Sequence, residues 1–195
     1  MTHQNIIEYL KTTSEKINQI VNQQIDLKID EAKTINSLPY QMVNHFKLLS
    51  SKGKNIRGIL VNLGYQVGQG SEDQKILKAA SAIEIFQTGI LVHDDIMDKS
   101  PSRRGLLTTH ELFKNTFDEQ YGNNMAINLG DFSFYFSIET LLDSGFDTKL
   151  VLQATKLYSQ FSQRLVHGQV LDISTETLNN VNQDYILSAI LSEFL

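Results

Sequence analysis

The chain contains no cysteine. It therefore has no disulfide framework, no thiolate metal site and no thiol nucleophile. Proline is almost as scarce, with 2 in 195 residues, and 11 glycines are too few for a loop-rich secreted scaffold. Apolar residues at 41% argue against disorder. The opening stretch, MTHQNIIEYLKTTSEK, lacks the charged-then-apolar pattern of a secretory leader. No uncharged apolar run approaches the length of a membrane span. A soluble, cytoplasmic protein that does not span a membrane is expected. An excess of positive charge is missing too: the net charge of −5 speaks against nucleic acid as a main partner. If the substrate is anionic, the cations that meet it must be gathered locally.

What is present is a succession of helices. Ile6, Tyr9, Leu10, Ile17, Ile20 and Val21 recur at helical spacing and predict an amphipathic helix over residues 4–24. A second helix starts around Pro39 and runs to about Leu49, where Ser50-Ser51-Lys52-Gly53 breaks it. Asn55 to Gly68 is the third. Ser71-Glu72-Asp73 reads as the N-terminal cap of a long helix over 74–98. Thr108 and Thr109 would cap a short helix ending near Phe117. Residues 124–142 are apolar on nearly every side and predict a central, buried helix. Another long helix begins at Asp147 and reaches about Ile173, and a last one spans roughly Gln183 to Leu195. No period-2 strand, internal repeat or low-complexity stretch stands out. The expected fold is all-α, antiparallel helices around a core, in a single domain.

The stretch that organises the rest is Gln87 to Gly105, QTGILVHDDIMDKSPSRRG. An apolar helical run ends in Asp94, Asp95 and Asp98, and a short loop then presents Arg103 and Arg104. Residues four apart on a helix lie about 40° apart around its axis, so Asp94 and Asp98 share a face with Asp95 beside them. Three carboxylates so close repel one another unless a cation sits among them. Mg²⁺ suits the place, because it takes few protein carboxylates and leaves positions for water and phosphate oxygens. Arginines can grip the same phosphates bidentately. The plainer alternative is a solvated helix end with ordinary surface pairs. Ile90, Leu91 and Val92 run straight into the acidic group, however, and that favours carboxylates at the mouth of a buried helix.

Three further groups accompany it. Gly53-Lys54-Asn55-Ile56-Arg57 opens a helix, with Lys54 and Arg57 three apart on one face and a helix N-terminus nearby to favour an anion. Two surface cations are the bland alternative. Gly168-Gln169-Val170-Leu171-Asp172 places a Gln and an Asp in an otherwise apolar helix, as a structural pair or as the lining of a cavity. Gly130-Asp131 lies in helix 124–142, where a buried charge needs a partner or a metal.

Together these residues resemble the trans-polyprenyl diphosphate synthase family. Its first aspartate-rich motif, DDxxD followed by xxxxRRG, is matched by Asp94, Asp95, Asp98, Arg103, Arg104 and Gly105. Its GKxxR motif is matched by Gly53, Lys54 and Arg57, although Gly58 stands where the family usually has proline. Gly130-Asp131 resembles its GD element, and Gly168, Gln169 and Asp172 its GQxxD. The resemblance runs from about Ile6 to Tyr185.

The resemblance implies an antiparallel helix bundle of the isoprenoid synthase type around a central cavity. It also implies a Mg²⁺-dependent prenyltransferase that condenses isopentenyl diphosphate with an allylic prenyl diphosphate. Carried over residue by residue, Asp94, Asp95 and Asp98 would bind Mg²⁺ and Arg103 the allylic diphosphate. Lys54, Arg57 and Arg104 would hold isopentenyl diphosphate, with Gln87 donating to it where many members have histidine. Gln169 would line the allylic site, and the protein would be a homodimer. Family members set product length four and five residues before the first aspartate, here Ile90 and Gly89. Glycine there leaves the product tunnel open as far as Phe86, which implies a product of geranylgeranyl length or longer; the plainer alternative is that Gly89 lets a neighbouring helix pack close.

The chain also departs from the pattern. The family's Lys-Thr pair would fall near Ser192-Glu193, and its second aspartate-rich motif has no counterpart, since none of Asp118, Asp143, Asp147 or Asp184 sits in a DDxxD. A family member lacking the C-terminal third is expected, its activity in this form in doubt. A non-catalytic subunit that binds prenyl diphosphate, or a terpene cyclase, are the competing readings. The Lys54/Arg57 pair argues against the cyclase, which has no second diphosphate to hold.

Overall fold

The computed structural model describes the backbone of residues 3–175 and 182–194, and side chains from 5 to 175 and 182 to 188. The side chains at Ser192 and Glu193, where the Lys-Thr pair would fall, lie outside the described residues. The contacts separate into two compact units, the first ending at Phe146 and the second beginning at Asp147.

The first unit opens with α1 (His3–Ile35), longer than the helix its sequence predicts. Ile25, Ile29 and Ala32 continue the buried face of Ile17 and Val21 at three- and four-residue steps. Asn36 then caps α2 (Ser37–Ser51), its side chain accepting the Leu38 N–H. α3 (Ile56–Val67) follows, and then α4 (Gln74–Met97). Of the predicted cap residues it is Asp73 that accepts the N–H groups of Lys75 and Ile76, while Glu72 pairs with Lys16 and Asn62.

The helices α1, α3 and α6 (Glu119–Leu142) all pack on α4. The core lies between them: Ile17, Val21 and Ile25 of α1, Phe46 of α2, Ile85 and Val92 of α4, and Leu129 of α6 are all at most 2% exposed. Burying one such side chain contributes roughly 1.5–3 kcal/mol. By length and hydropathy alone α4 is a candidate membrane span, though Glu84 interrupts its apolar run, and 67% of its most apolar window is buried inside the protein. It is the central helix of this unit.

The 124–142 segment was expected to be buried all round, and here the structure differs. Asp118 caps α6 earlier than predicted, and one side of the helix, bearing Ile127, Asp131, Tyr135 and Leu142, is exposed. Average apolarity does not reveal which face a helix turns outward.

Between α4 and α6 lies a hairpin that the sequence reading lacks: β1 (Ser102–Arg103) pairs antiparallel with β2 (Leu106–Leu107). Its two turn residues, Arg104 at φ 55° and Gly105 at φ 76°, both have positive φ, the geometry of a type I′ turn. Thr108 does not use its side chain to cap α5 (Thr109–Lys114); its hydroxyl donates to the Ser100 carbonyl at 2.7 Å and closes the hairpin's base.

The second unit is α7 (Thr148–Thr175) packed on α8 (Gln183–Phe194). Asp147 starts α7 as predicted, accepting the Lys149 N–H at 2.9 Å.

Candidate functional site

The acidic motif sits at the last turn of α4, where the unpaired carbonyls of the helix end add negative potential to its own carboxylates. The three aspartates do not converge there. Asp95 is 1% exposed and turned inward, with Oδ1 accepting from Arg103 Nε at 2.5 Å. Its other oxygen, Oδ2, is buried without a hydrogen-bond partner among the described residues. Burial raises its pKa to about 6, against the pull of Arg103, and repulsion from Asp94 and Asp98 pushes the same way. Asp94 accepts from Arg103 Nη2 at 2.8 Å, so a single guanidinium is forked between neighbouring aspartates. Asp98 is the C-cap residue and is exposed.

This corrects the expected three-carboxylate cage. No group of three or more His, Asp or Glu side chains suited to a metal forms among the described residues. What remains suits Mg²⁺: hard oxygen donors on Asp94 and Asp98, one turn apart at the negative end of a helix. Asp95 belongs to Arg103 instead.

The hairpin carries the second half of the site. Arg104 Nη1 donates to the Leu49 carbonyl at 2.8 Å, at the end of α2. A Cβ placed on Gly53 would lie 3.1 Å from that same nitrogen, so the glycine admits the guanidinium. Lys52 Nζ donates to the Arg104 carbonyl at 3.3 Å. The α2–α3 loop and the hairpin thus meet, and Lys52, Lys54, Arg57, Arg103 and Arg104 are brought to this end of the unit by the two segments. Four of the chain's 17 Lys and Arg lie in these two segments and a fifth, Arg57, in the first turn of α3, the local concentration that a net charge of −5 demands for an anionic ligand. Sequence reasoning overlooked Lys52, which looked like part of a helix break.

At the N-terminus of α3, which had been expected to favour an anion, the N–H groups of Arg57 and Gly58 are already taken. Glu84 of α4, 8% exposed, accepts the Gly58 N–H at 2.6 Å. Burial raises its pKa, opposed by that bond and by the charges of Arg57 and Arg104. Gln87, three residues on, is buried on α4.

Two glycines were read for chemistry and prove to be packing notches. A Cβ on Gly89 would fall 1.6 Å from Ser133 Oγ, so the space read as an open product tunnel holds a side chain of α6. Ile90 is half-buried, and Phe86 stacks on Phe134 with centroids 5.3 Å apart. A Cβ on Gly130 would fall 2.1 Å from His93 Nε2, so the GD element makes room for the residue preceding Asp94. His93 Nε2 lies 3.1 Å from the Ile127 carbonyl and 3.7 Å from Asp131. Asp131 itself is 57% exposed and is no buried charge. Gln169 is half-buried and Asp172 exposed, both on α7 of the second unit.

A family model for polyprenyl synthetases matches residues 38–190. The chain belongs to this family. Among curated polyprenyl synthetase relatives, a geranylgeranyl pyrophosphate synthase of Geoglobus acetivorans is 28% identical over 190 residues, 97% of this chain and 53% of its own length. A short chain isoprenyl diphosphate synthase of Methanocaldococcus jannaschii is 31% identical over 161 residues, 82% of this chain and 46% of its own. Among solved structures, a geranylgeranyl pyrophosphate synthetase of Pyrococcus horikoshii matches with TM-score 0.80 and 26% identity over 97% of this chain and 54% of that one. That of Corynebacterium glutamicum, complexed with isoprenyl diphosphate and magnesium, reaches TM-score 0.84 at 24% identity, covering 94% and 56%. The chain thus has the all-α isoprenoid synthase fold and spans about half the length of the relatives it matches.

Proposed function

We propose that the chain carries the first diphosphate-binding half of a prenyltransferase that joins isopentenyl diphosphate to an allylic prenyl diphosphate. The observation that carries this reading is the arginine hairpin set between two partners: the carboxylates at the end of α4, and the cationic loop between α2 and α3. Such a place meets two anions from two sides.

Asp94 and Asp98 would hold Mg²⁺, which when bound supplies positive charge against a diphosphate leaving group. Arg103, held by Asp94 and Asp95 before any ligand arrives, is oriented toward the same anion. Preorganised charge of this kind acts where negative charge develops and needs no reorganisation at the moment of reaction. Lys54, Arg57 and Arg104, joined by Lys52, would bind isopentenyl diphosphate, with Gln87 as a further donor. In the reaction the allylic carbon–oxygen bond breaks, the isopentenyl double bond supplies the electrons of the new carbon–carbon bond, and a proton is lost. A product of geranylgeranyl length or longer rests on the names of the relatives and not on Gly89.

Transfer from labelled isopentenyl diphosphate, with and without an added full-length homologue, tests the reading. Mg²⁺-dependent formation of a longer prenyl diphosphate in either arm supports it. Binding of both diphosphates without turnover in either arm would make the chain a binding subunit and overturn the transferase assignment.

A further inference from the structure

The first turn of α3 has no cap of its own. Its N-cap residue, Asn55, lies in the left-handed region at φ 54° and makes no side-chain bond to the helix. Its amide instead donates to the carbonyl and hydroxyl of Ser14 on α1, at 3.1 and 3.0 Å. A helix start leaves N–H groups that need acceptors. The acceptor comes from another helix: Glu84 takes the Gly58 N–H at 2.6 Å and is further stabilised by a backbone bond from Arg57.

This bond uses an N–H group that proline, usual in the family at this position, does not have. Glycine also lets α3 and α4 close together, since a Cβ on Gly58 would lie 3.0 Å from the Ala80 carbonyl and 3.1 Å from Glu84 Cγ. A buried carboxylate needs opposite charge as well as hydrogen bonds. The charges that attract Glu84 are Arg57, on the turn it caps, and Arg104, on the hairpin. The two arginines of the hairpin thus meet carboxylates of one helix differently: Arg103 is hydrogen-bonded to Asp94 and Asp95, whereas Arg104 is bonded to the Leu49 carbonyl and is attracted by the charges of Glu84 and Asp95. Glu84 and Asp95 are eleven residues apart, close to three full turns, and so share a face of α4.

Resting on the functional reading above, we propose that Glu84 is a positioning residue for the isopentenyl diphosphate cations. It fixes the first turn of α3, on which Arg57 stands, sets a negative charge between the positions of Arg57 and Arg104, and occupies the N–H groups of Arg57 and Gly58. Those two N–H groups are then closed to the diphosphate, which is met by the side-chain cations. Glu84 does not itself touch the ligand.

The test is calorimetric titration of the parent chain and of Glu84→Gln, Glu84→Ala and Arg57→Ala. One series uses isopentenyl diphosphate and a second geranyl diphosphate with Mg²⁺. Glu84→Gln keeps an acceptor and the volume, so it stays folded by circular dichroism even if Glu84→Ala does not. It is expected to weaken isopentenyl diphosphate binding roughly fivefold or more, the size of coupling seen between groups in one network. Geranyl diphosphate binding stays within about twofold in the same variant. Equal losses for both ligands would make Glu84 a general structural residue and overturn the proposal. So would an unchanged isopentenyl diphosphate affinity in a parent that binds it. A parent that binds neither diphosphate overturns the functional reading and the proposal together.

Discussion

Asp94 and Asp95 are adjacent in sequence and share one arginine, yet one faces the helix mouth and the other is sealed at 1% exposure. Their substitutions should therefore fail in different ways. Asp94→Ala and Asp98→Ala are each expected to abolish the Mg²⁺ dependence of diphosphate binding in a calorimetric titration. Unchanged Mg²⁺-dependent affinity in both would remove the metal assignment. Asp95→Ala should keep the Mg²⁺ dependence while weakening diphosphate binding roughly tenfold, because Arg103 loses a charge-assisted bond. A second residue-scale expectation concerns acid. His45 on α2 is buried with Nε2 unpartnered among the described residues, and burial lowers its pKa below 6.5. His110 is shifted the same way, again chiefly by burial. At these two histidines the unfolded chain binds more protons than the folded one below about pH 6.5, so the stability they contribute is present above that pH and lost as pH falls, while Asp95 and Glu84, with raised pKa, act in the opposite direction. The His45 contribution is the difference between the parent and His45→Phe in denaturant titrations between pH 7.5 and 5, the parent losing more stability than the variant as pH falls. An identical pH slope in that variant would rule out His45 as a source.

At the scale of elements, Gly89 and Gly130 show what a sequence can and cannot reveal. The helices were legible because apolar residues recur at helical spacing, and Asp73 and Asp147 mark two of their starts, whereas Asp118, the cap of α6, went unread. The extension of α1 to Ile35 was missed, because charged residues interrupt Ile25, Ile29 and Ala32, which carry its buried face. The hairpin was not, since strands of two residues leave no period to detect. A glycine states only that a side chain is missing; which neighbour fills the space is known once the helices are packed. Gly89→Tyr, which would block an open tunnel, should instead disrupt the contact of α4 with α6. Gly89→Ala alone should cost about 1–3 kcal/mol by overpacking against Ser133, measured by denaturant unfolding, and Gly89→Ala with Ser133→Gly should recover part of it. Full stability in the single variant would contradict the notch. Gly58→Pro, which restores the residue usual in the family, should also destabilise this chain, because Glu84 would lose one of its two backbone donors while remaining buried.

For the whole molecule, the main question is what covers the exposed side of α6. Ile127 is 45%, Tyr135 76% and Leu142 49% exposed along one helix. A homodimer, expected from the family, would cover part of such a surface. Light scattering at high concentration should give at least twice the 22.1 kDa of one chain, and Tyr135→Glu should shift the protein toward monomer. A clean monomer in the parent would refute the assembly.

The hairpin has a consequence for how this protein would respond to selection. Arg104 occupies a turn position with φ 55°, which asparagine and glycine adopt more easily than arginine does. The chain tolerates that strain, of order 1 kcal/mol or more, to place a guanidinium beside Gly53 and the Leu49 carbonyl. A library screened for heat resistance alone should therefore drift toward Asn or Gly at position 104, and one screened for catalysis should keep arginine. The two screens would pull one codon in opposite directions.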